Sequence, residues 1–211
     1  LGTRGATADG RVYRYAKNGG TALVKSYLAQ MKATTAGASA WDNSTLSYIS
    51  TQWPSGTTAI STTWNYIPLS VTKDSSLTAA KDYFADGYLW VKGTSTESGQ
   101  MVRIKGNDAM ATSTTTLVKA YMEDGEAFSE IVDSGSFVAI VENEYDGVIV
   151  TIATSVSNRV VGVPNADIPA SYYFWLQTWG PCPVRAEATV NEAGKPFYTS
   201  TQTAGTVQGV T

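Results

Sequence analysis

The chain has 211 residues, 43% of them hydrophobic and only 16% charged, with a net charge of −3. That length holds one large β-domain or two small domains, and a near-neutral chain without a Lys/Arg run offers no footprint for nucleic acid or an anionic membrane. Histidine is absent and Cys182 is the single cysteine, which excludes Ser-His-Asp and Cys-His catalysis, the commonest zinc ligand and an internal disulfide.

Thr, Ser, Gly and Ala fill much of the remainder, a composition that favours strands and turns over helices. No apolar run approaches the roughly 20 residues that a spanning helix needs. The first residues carry neither an initiator Met nor a signal-peptide pattern, and trimming at both ends is expected.

Residues 1–10 are Gly/Thr-rich and cannot build a core by themselves. They read as an extended N-terminal arm that gains order along a partner, with Leu1, Gly2, Thr3 and Arg4 as contact candidates. Residues 11–211 read as a single β-domain. Asp9-Gly10 is a turn signal, Arg11–Ala16 alternates as a strand, and Asn18-Gly19-Gly20 turns the chain again. Thr21–Met31 carries both a helical stripe (Val24, Tyr27, Leu28, Met31) and a strand start, and the hairpin return favours the extended form.

Residues 33–66 form a Thr/Ser/Trp-rich elaboration, expected as long surface loops anchored by Trp41, Trp53 and Trp64. These three tryptophans lie in the least core-like region and are further partner-contact candidates. Ile67–Thr72 is expected at a sheet edge because it contains Pro68. Leu77–Phe84 has room for one or two helical turns before Asp86-Gly87. Tyr88–Lys92 pairs with Gln100–Lys105, and Thr114–Tyr121, Phe137–Val141, Val148–Ile152 and Arg159–Val163 follow as strands.

The densest stretch is Ser171–Val184, SYYFWLQTWGPCPV. Alternation sets Tyr172, Phe174 and Leu176 on one face and Tyr173, Trp175, Gln177 and Trp179 on the other, so both faces are expected to be covered, by the fold's own core and by a second sheet, a loop or a neighbouring subunit. An exposed aromatic platform is the alternative. Val184–Val190 alternates as a half-buried strand. Turn signals every ten or so residues, without a βαβ rhythm, give an all-β fold: an antiparallel sandwich or barrel with long loops and at most short helices.

The carboxylates cluster at Glu123, Asp124 and Glu126 and at Glu142, Glu144 and Asp146. A glycosidase needs two carboxylates about 5–9.5 Å apart across a sugar site, and alternate loop carboxylates can converge on Ca²⁺. Both clusters coincide with expected turns, where Asp serves the backbone, so solvated turn carboxylates are the better reading. No nucleophile or phosphate-loop motif is present. No catalytic, metal or cofactor residue is assigned.

TADGRVYRYAKNGGTAL (Thr7–Leu23), YFADGYLWV (Tyr83–Val91), YDGVIV (Tyr145–Val150), VGVP (Val161–Pro164) and ASYYFWLQTWGPCPV (Ala170–Val184) occur in this order. Together they resemble tailed-bacteriophage virion structural proteins of the capsid decoration, or cement, type. The resemblance implies a non-enzymatic protein on the capsid exterior that stabilises the shell. Its implied partners are the major capsid protein and copies of itself in a homotrimer, with no cofactor. A carbohydrate-binding or receptor-binding β-module of a phage tail or fibre is the alternative.

Overall fold

The computed structural model describes residues 1–32, 59–60, 64–70, 79–92, 99–109, 117–133, 137–153, 158–187 and 196–209. The strands, in chain order, begin with β1 (Arg4–Ala6), β2 (Val12–Asn18), β3 (Ala29–Gln30), β4 (Ala59–Ile60) and β5 (Tyr66–Ser70). They continue with β6 (Tyr88–Lys92), β7 (Met101–Asn107), β8 (Leu117–Met122), β9 (Val132–Asp133) and β10 (Phe137–Val141). The last are β11 (Asp146–Val150), β12 (Val160–Pro164), β13 (Tyr173–Trp179), β14 (Phe197–Thr199) and β15 (Val207–Gly209). The fold is all-β, with no helix among the described residues. Leu77–Phe84 is not helical where described: residues 81–86 are successive turns, with Asp82 and Asp86 at positive φ.

Contacts divide the chain into two compact units instead of the expected single domain over 11–211. The first joins Leu1–Ala33 to Glu144–Thr211, and the second, Thr34–Asn143, is inserted between those stretches. Two hydrophobic clusters, one in each unit, give the physical reason.

In the first unit the strand order is β1-β2-β11-β3-β12-β13, and β13 pairs back onto β2. Five strands thus close on themselves, which removes the open edges a flat sheet would leave. The long pairing of the closure is antiparallel, from Tyr173↔Lys17 to Trp179↔Val12. On its other side β2 serves two partners, β1 antiparallel along Val12–Arg14 and β11 parallel at Lys17 and Asn18. Ala16, Leu23, Ala29, Met31, Val148, Val161, Phe174 and Leu176 form the core. The hairpin of β14 and β15 belongs to the same unit.

The expected free arm at residues 1–10 is instead the first leg of a hairpin. Asp9-Gly10 turns the chain, Gly10 N donates to Thr7 O, and Arg4–Ala6 pairs with β2. The backbone groups of a short Gly/Thr-rich segment find their partners on its own barrel, so no second molecule is needed to order it.

In the second unit β10-β6-β7-β8-β5 form one antiparallel sheet, and β4 pairs with β9. β5 lies at the end of that sheet, as Pro68 requires. Phe84, Leu89, Val91, Val102, Ile104, Met122, Phe128 and Ile140 are among its core residues.

Val184–Val190 does not form the expected half-buried strand where it is described. Arg185 N donates to Ser26 O while Val207 N donates to Arg185 O. Ala186 makes one isolated parallel bridge to Val207. Arg185 O and Glu187 N both serve Val207, so among the described residues the segment makes this one bridge and no longer ladder.

Candidate contact surface

β13 carries the sequence's aromatic run, and the closure of the barrel decides what each side chain does. Phe174 and Leu176 enter the core. Tyr172, Tyr173, Trp175 and Trp179 remain 62%, 55%, 48% and 73% exposed. Among the described residues no second sheet or loop covers Tyr173 and Trp175, so of the expected covers for that side of the strand a neighbouring subunit is left. Isolated exposed apolar residues are ordinary, but four large aromatics on one seven-residue strand and the residue before it are not.

Two of these rings, Tyr173 and Trp175, join Tyr15 in one contiguous surface across neighbouring strands. Tyr15 of β2 stacks on Tyr173 with centroids 5.7 Å apart and planes 10° from parallel. It meets Trp175 at 5.3 Å with planes tilted by 58°. Lys17 Nζ lies 5.7 Å from the centre of the Tyr173 ring, within cation–π range. Trp175 reaches over β2 to β1, where a Cβ added at Gly5 would lie 3.1 Å from its Cζ3. Gly5 is thus the floor on which the indole rests.

Beyond Trp175 the strand changes character. Gln177 is buried; its Oε1 accepts from Asn165 Nδ2 at 2.8 Å, and its Nε2 donates to Pro181 O at 2.9 Å and more weakly to Trp179 O and Gly180 O. The register with β2 shifts between Gln177 and Trp179. A glutamine in an aromatic run thereby fixes the Gly180-Pro181-Cys182-Pro183 turn. Strict alternation had placed it with Trp175, and only its nearness to that turn hinted at its role.

The remaining candidates separate. Gly2 N donates to Tyr15 O, and Arg14 Nη1 donates to Gly2 O, so Gly2 is tied to the barrel; Thr3 and Arg4 are exposed and Leu1 is half-buried. Trp64 packs against the core of the second unit and stacks on Tyr66, centroids 5.3 Å apart, as expected of an anchoring loop tryptophan. Lys119 Nζ lies 4.6 Å from the Tyr66 ring centre. Trp41 and Trp53 lie outside the described residues.

The carboxylate clusters do not behave alike. Asp124 is an exposed turn residue paired to Lys105 at 2.7 Å, and this pairing, the hydrogen bond first, raises the Lys105 pKa. Glu142, expected to be solvated, is instead only 2% exposed. Glu144 pairs with Arg159 at 2.8 Å and Asp146 with Lys32 at 3.2 Å. Among the described residues no three His, Cys, Asp or Glu side chains gather as a metal site.

No family model matches the chain, and no curated protein or solved structure matches it.

Proposed function

We propose that the protein is a non-enzymatic virion structural protein that decorates and stabilises a bacteriophage capsid from outside, through contacts with the major capsid protein and with copies of itself. The observation that carries this reading is the open aromatic face of β13, held on a closed barrel. A barrel flank presents these rings with little conformational freedom left to lose, and large amphipathic aromatics are favoured at interface hot spots. The phrase-level resemblance to cement proteins supplies the kind of partner, and the homotrimer is part of the same proposal.

The test is whether the protein co-purifies with intact particles at a fixed copy number relative to the shell protein. Particles stripped of it should burst more readily on heating or osmotic shock. Its absence from purified particles, or particles of unchanged stability without it, would overturn the reading.

One observation favours the sugar-binding alternative: the nearly parallel Tyr15 and Tyr173 rings, beside which Lys17 offers a hydrogen-bond donor. Aromatic faces stack on the C–H faces of sugars, with a few polar groups fixing orientation. Specific glycan binding abolished by Tyr15→Ala would select that reading over the capsid.

A further inference from the structure

We propose that Asn18-Gly19 is a modification site that the folded chain holds shut, a dipeptide that deamidates when the first unit opens and then prevents that chain from refolding. The inference goes beyond the capsid reading and does not rest on it. Asn18-Gly19 is the one Asn-Gly dipeptide in the sequence. Its chemistry is intrinsic to the chain. The Gly19 backbone nitrogen attacks Asn18 Cγ, an N–Cγ bond forms, the Cγ–Nδ2 bond breaks, and the amide proton leaves with the departing ammonia. Water then opens the succinimide to aspartate or isoaspartate. A glycine at the second position leaves this attack unhindered, because no Cβ crowds the nitrogen.

The fold blocks both ends of the reaction. The nucleophile is occupied, since Gly19 N donates to Val148 O at 2.9 Å. The leaving group is caged: Asn18 is 1% exposed, and its Nδ2 donates to Pro169 O at 2.8 Å and Thr21 O at 3.0 Å, with Ile168 O at 3.3 Å. The backbone on each side is pinned as well, by Asn18 N donating to Tyr172 O and Ser171 N donating to Gly19 O. The same packing explains why the hazard is retained. A Cβ at Gly19 would lie 3.0 Å from Ile149 Cγ2 and 3.2 Å from Gly147 O, so a bulkier, slower-reacting residue would have to push its neighbours aside by a few tenths of an ångström.

Conversion is incompatible with the native barrel. An oxygen replacing Nδ2 has no proton to offer three carbonyl oxygens, and Asn18 Oδ1 is already buried without a hydrogen-bond partner. A carboxylate there would be buried with no donor, and isoaspartate would add a backbone atom within the β2 ladder. Heat or denaturant inactivation thus becomes irreversible through covalent change in the unfolded chain.

The experiment incubates the unmodified protein in mildly alkaline buffer with and without denaturing urea, at one temperature. Residue 18 is followed by peptide mass spectrometry and isoaspartate detection, and the urea samples are then diluted to measure the refolded fraction. Conversion should be slower in the folded protein by on the order of 10³-fold, because it must wait for opening. The refolded fraction should fall in step with conversion at residue 18. Conversion of the folded protein at a rate comparable to that in urea, or full refolding of converted chains, would overturn the proposal. Both readouts use the natural sequence, so no variant's failure to fold enters the result.

Discussion

Gln177 Nε2 lies 2.9 Å from the carbonyl oxygen of Pro181, so a side chain buried in β13 holds the turn that ends it. Replacing this donor by an acceptor reverses the sign of every contact the nitrogen makes. Gln177→Glu should lower unfolding stability by roughly 3 kcal/mol, since a buried carboxylate would face carbonyl oxygens. Gln177→Leu, which leaves those carbonyls unpaired without adding a charge, should cost less. Urea unfolding midpoints of the two variants check the order, and equal midpoints would count against the donor's role.

Asn107 plays the corresponding part in the second unit. Fully buried, it accepts from Phe84 N at 2.9 Å through Oδ1 and donates through Nδ2 to Asp108 O at 2.7 Å and Ala80 O at 3.1 Å. This side chain adds to the backbone bonds from Asp82 N to Asn107 O and from Asp86 N to Ile104 O and to the Arg103–Asp86 ion pair, which also tie the turn at residues 81–86 to β7, and it alone serves Phe84 N. Asn107→Ala should cost about 2 kcal/mol and speed amide exchange at Phe84, because the freed backbone groups have only solvent to turn to. Unchanged exchange at Phe84 would show that another contact holds the turn.

Alkaline stability should depend on Tyr145. Burial, and after it the charge and hydrogen bond of Glu144, push its hydroxyl from 10.0 up to about 12, with Arg14 and Arg159 acting the other way. Its folded pKa lies above its unfolded one, so the contribution is fully present below pH 10. Between pH 10 and about 12 the unfolded chain loses its proton first, and stability falls with rising pH. Tyr145→Phe should flatten the drop over that window in pH-dependent melting. A variant with the same alkaline loss as the natural chain would assign it to other groups.

Local pattern carried far into this fold, and non-local closure did not. Phe137–Val141 and Tyr88–Lys92 are strands with the bounds their apolar runs suggest, and Pro68 correctly marks an edge. These features depend on neighbours in sequence and on what a proline can donate. The parallel pairing of β11 with β2 and the closure of β13 onto β2 join segments well over a hundred residues apart. No turn residue announces them, and they decide which aromatics are covered. Hence Phe174 was legible as core, whereas the exposure of Trp175 stayed the second of two readings: alternation names two faces without saying that only one of them receives a cover. Glu142 misled for a related reason, since its neighbours read as a turn while the residue itself is buried.

The aromatic face separates contact energy from folding energy, which allows a direct test of the proposed function. Trp179 and Tyr172 are the most exposed rings of this stretch, so Trp179→Ser and Tyr172→Ser remove little that the fold uses. Each should leave unfolding stability within about 0.5 kcal/mol of the natural chain, as for other surface substitutions. Trp175 differs, because its indole rests on Gly5 and against Tyr15, and Trp175→Ser should cost about 1–2 kcal/mol through lost packing. If these exposed rings dock on a capsid lattice, the Trp179→Ser and Tyr172→Ser pair, still fully folded, should weaken affinity for particles by tenfold or more, about 1.4 kcal/mol. Trp64→Ala offers the contrast: its ring packs on the second unit's core, so it should lower that unit's stability. Unchanged affinity of the folded double variant would remove Tyr172 and Trp179 from the docking surface.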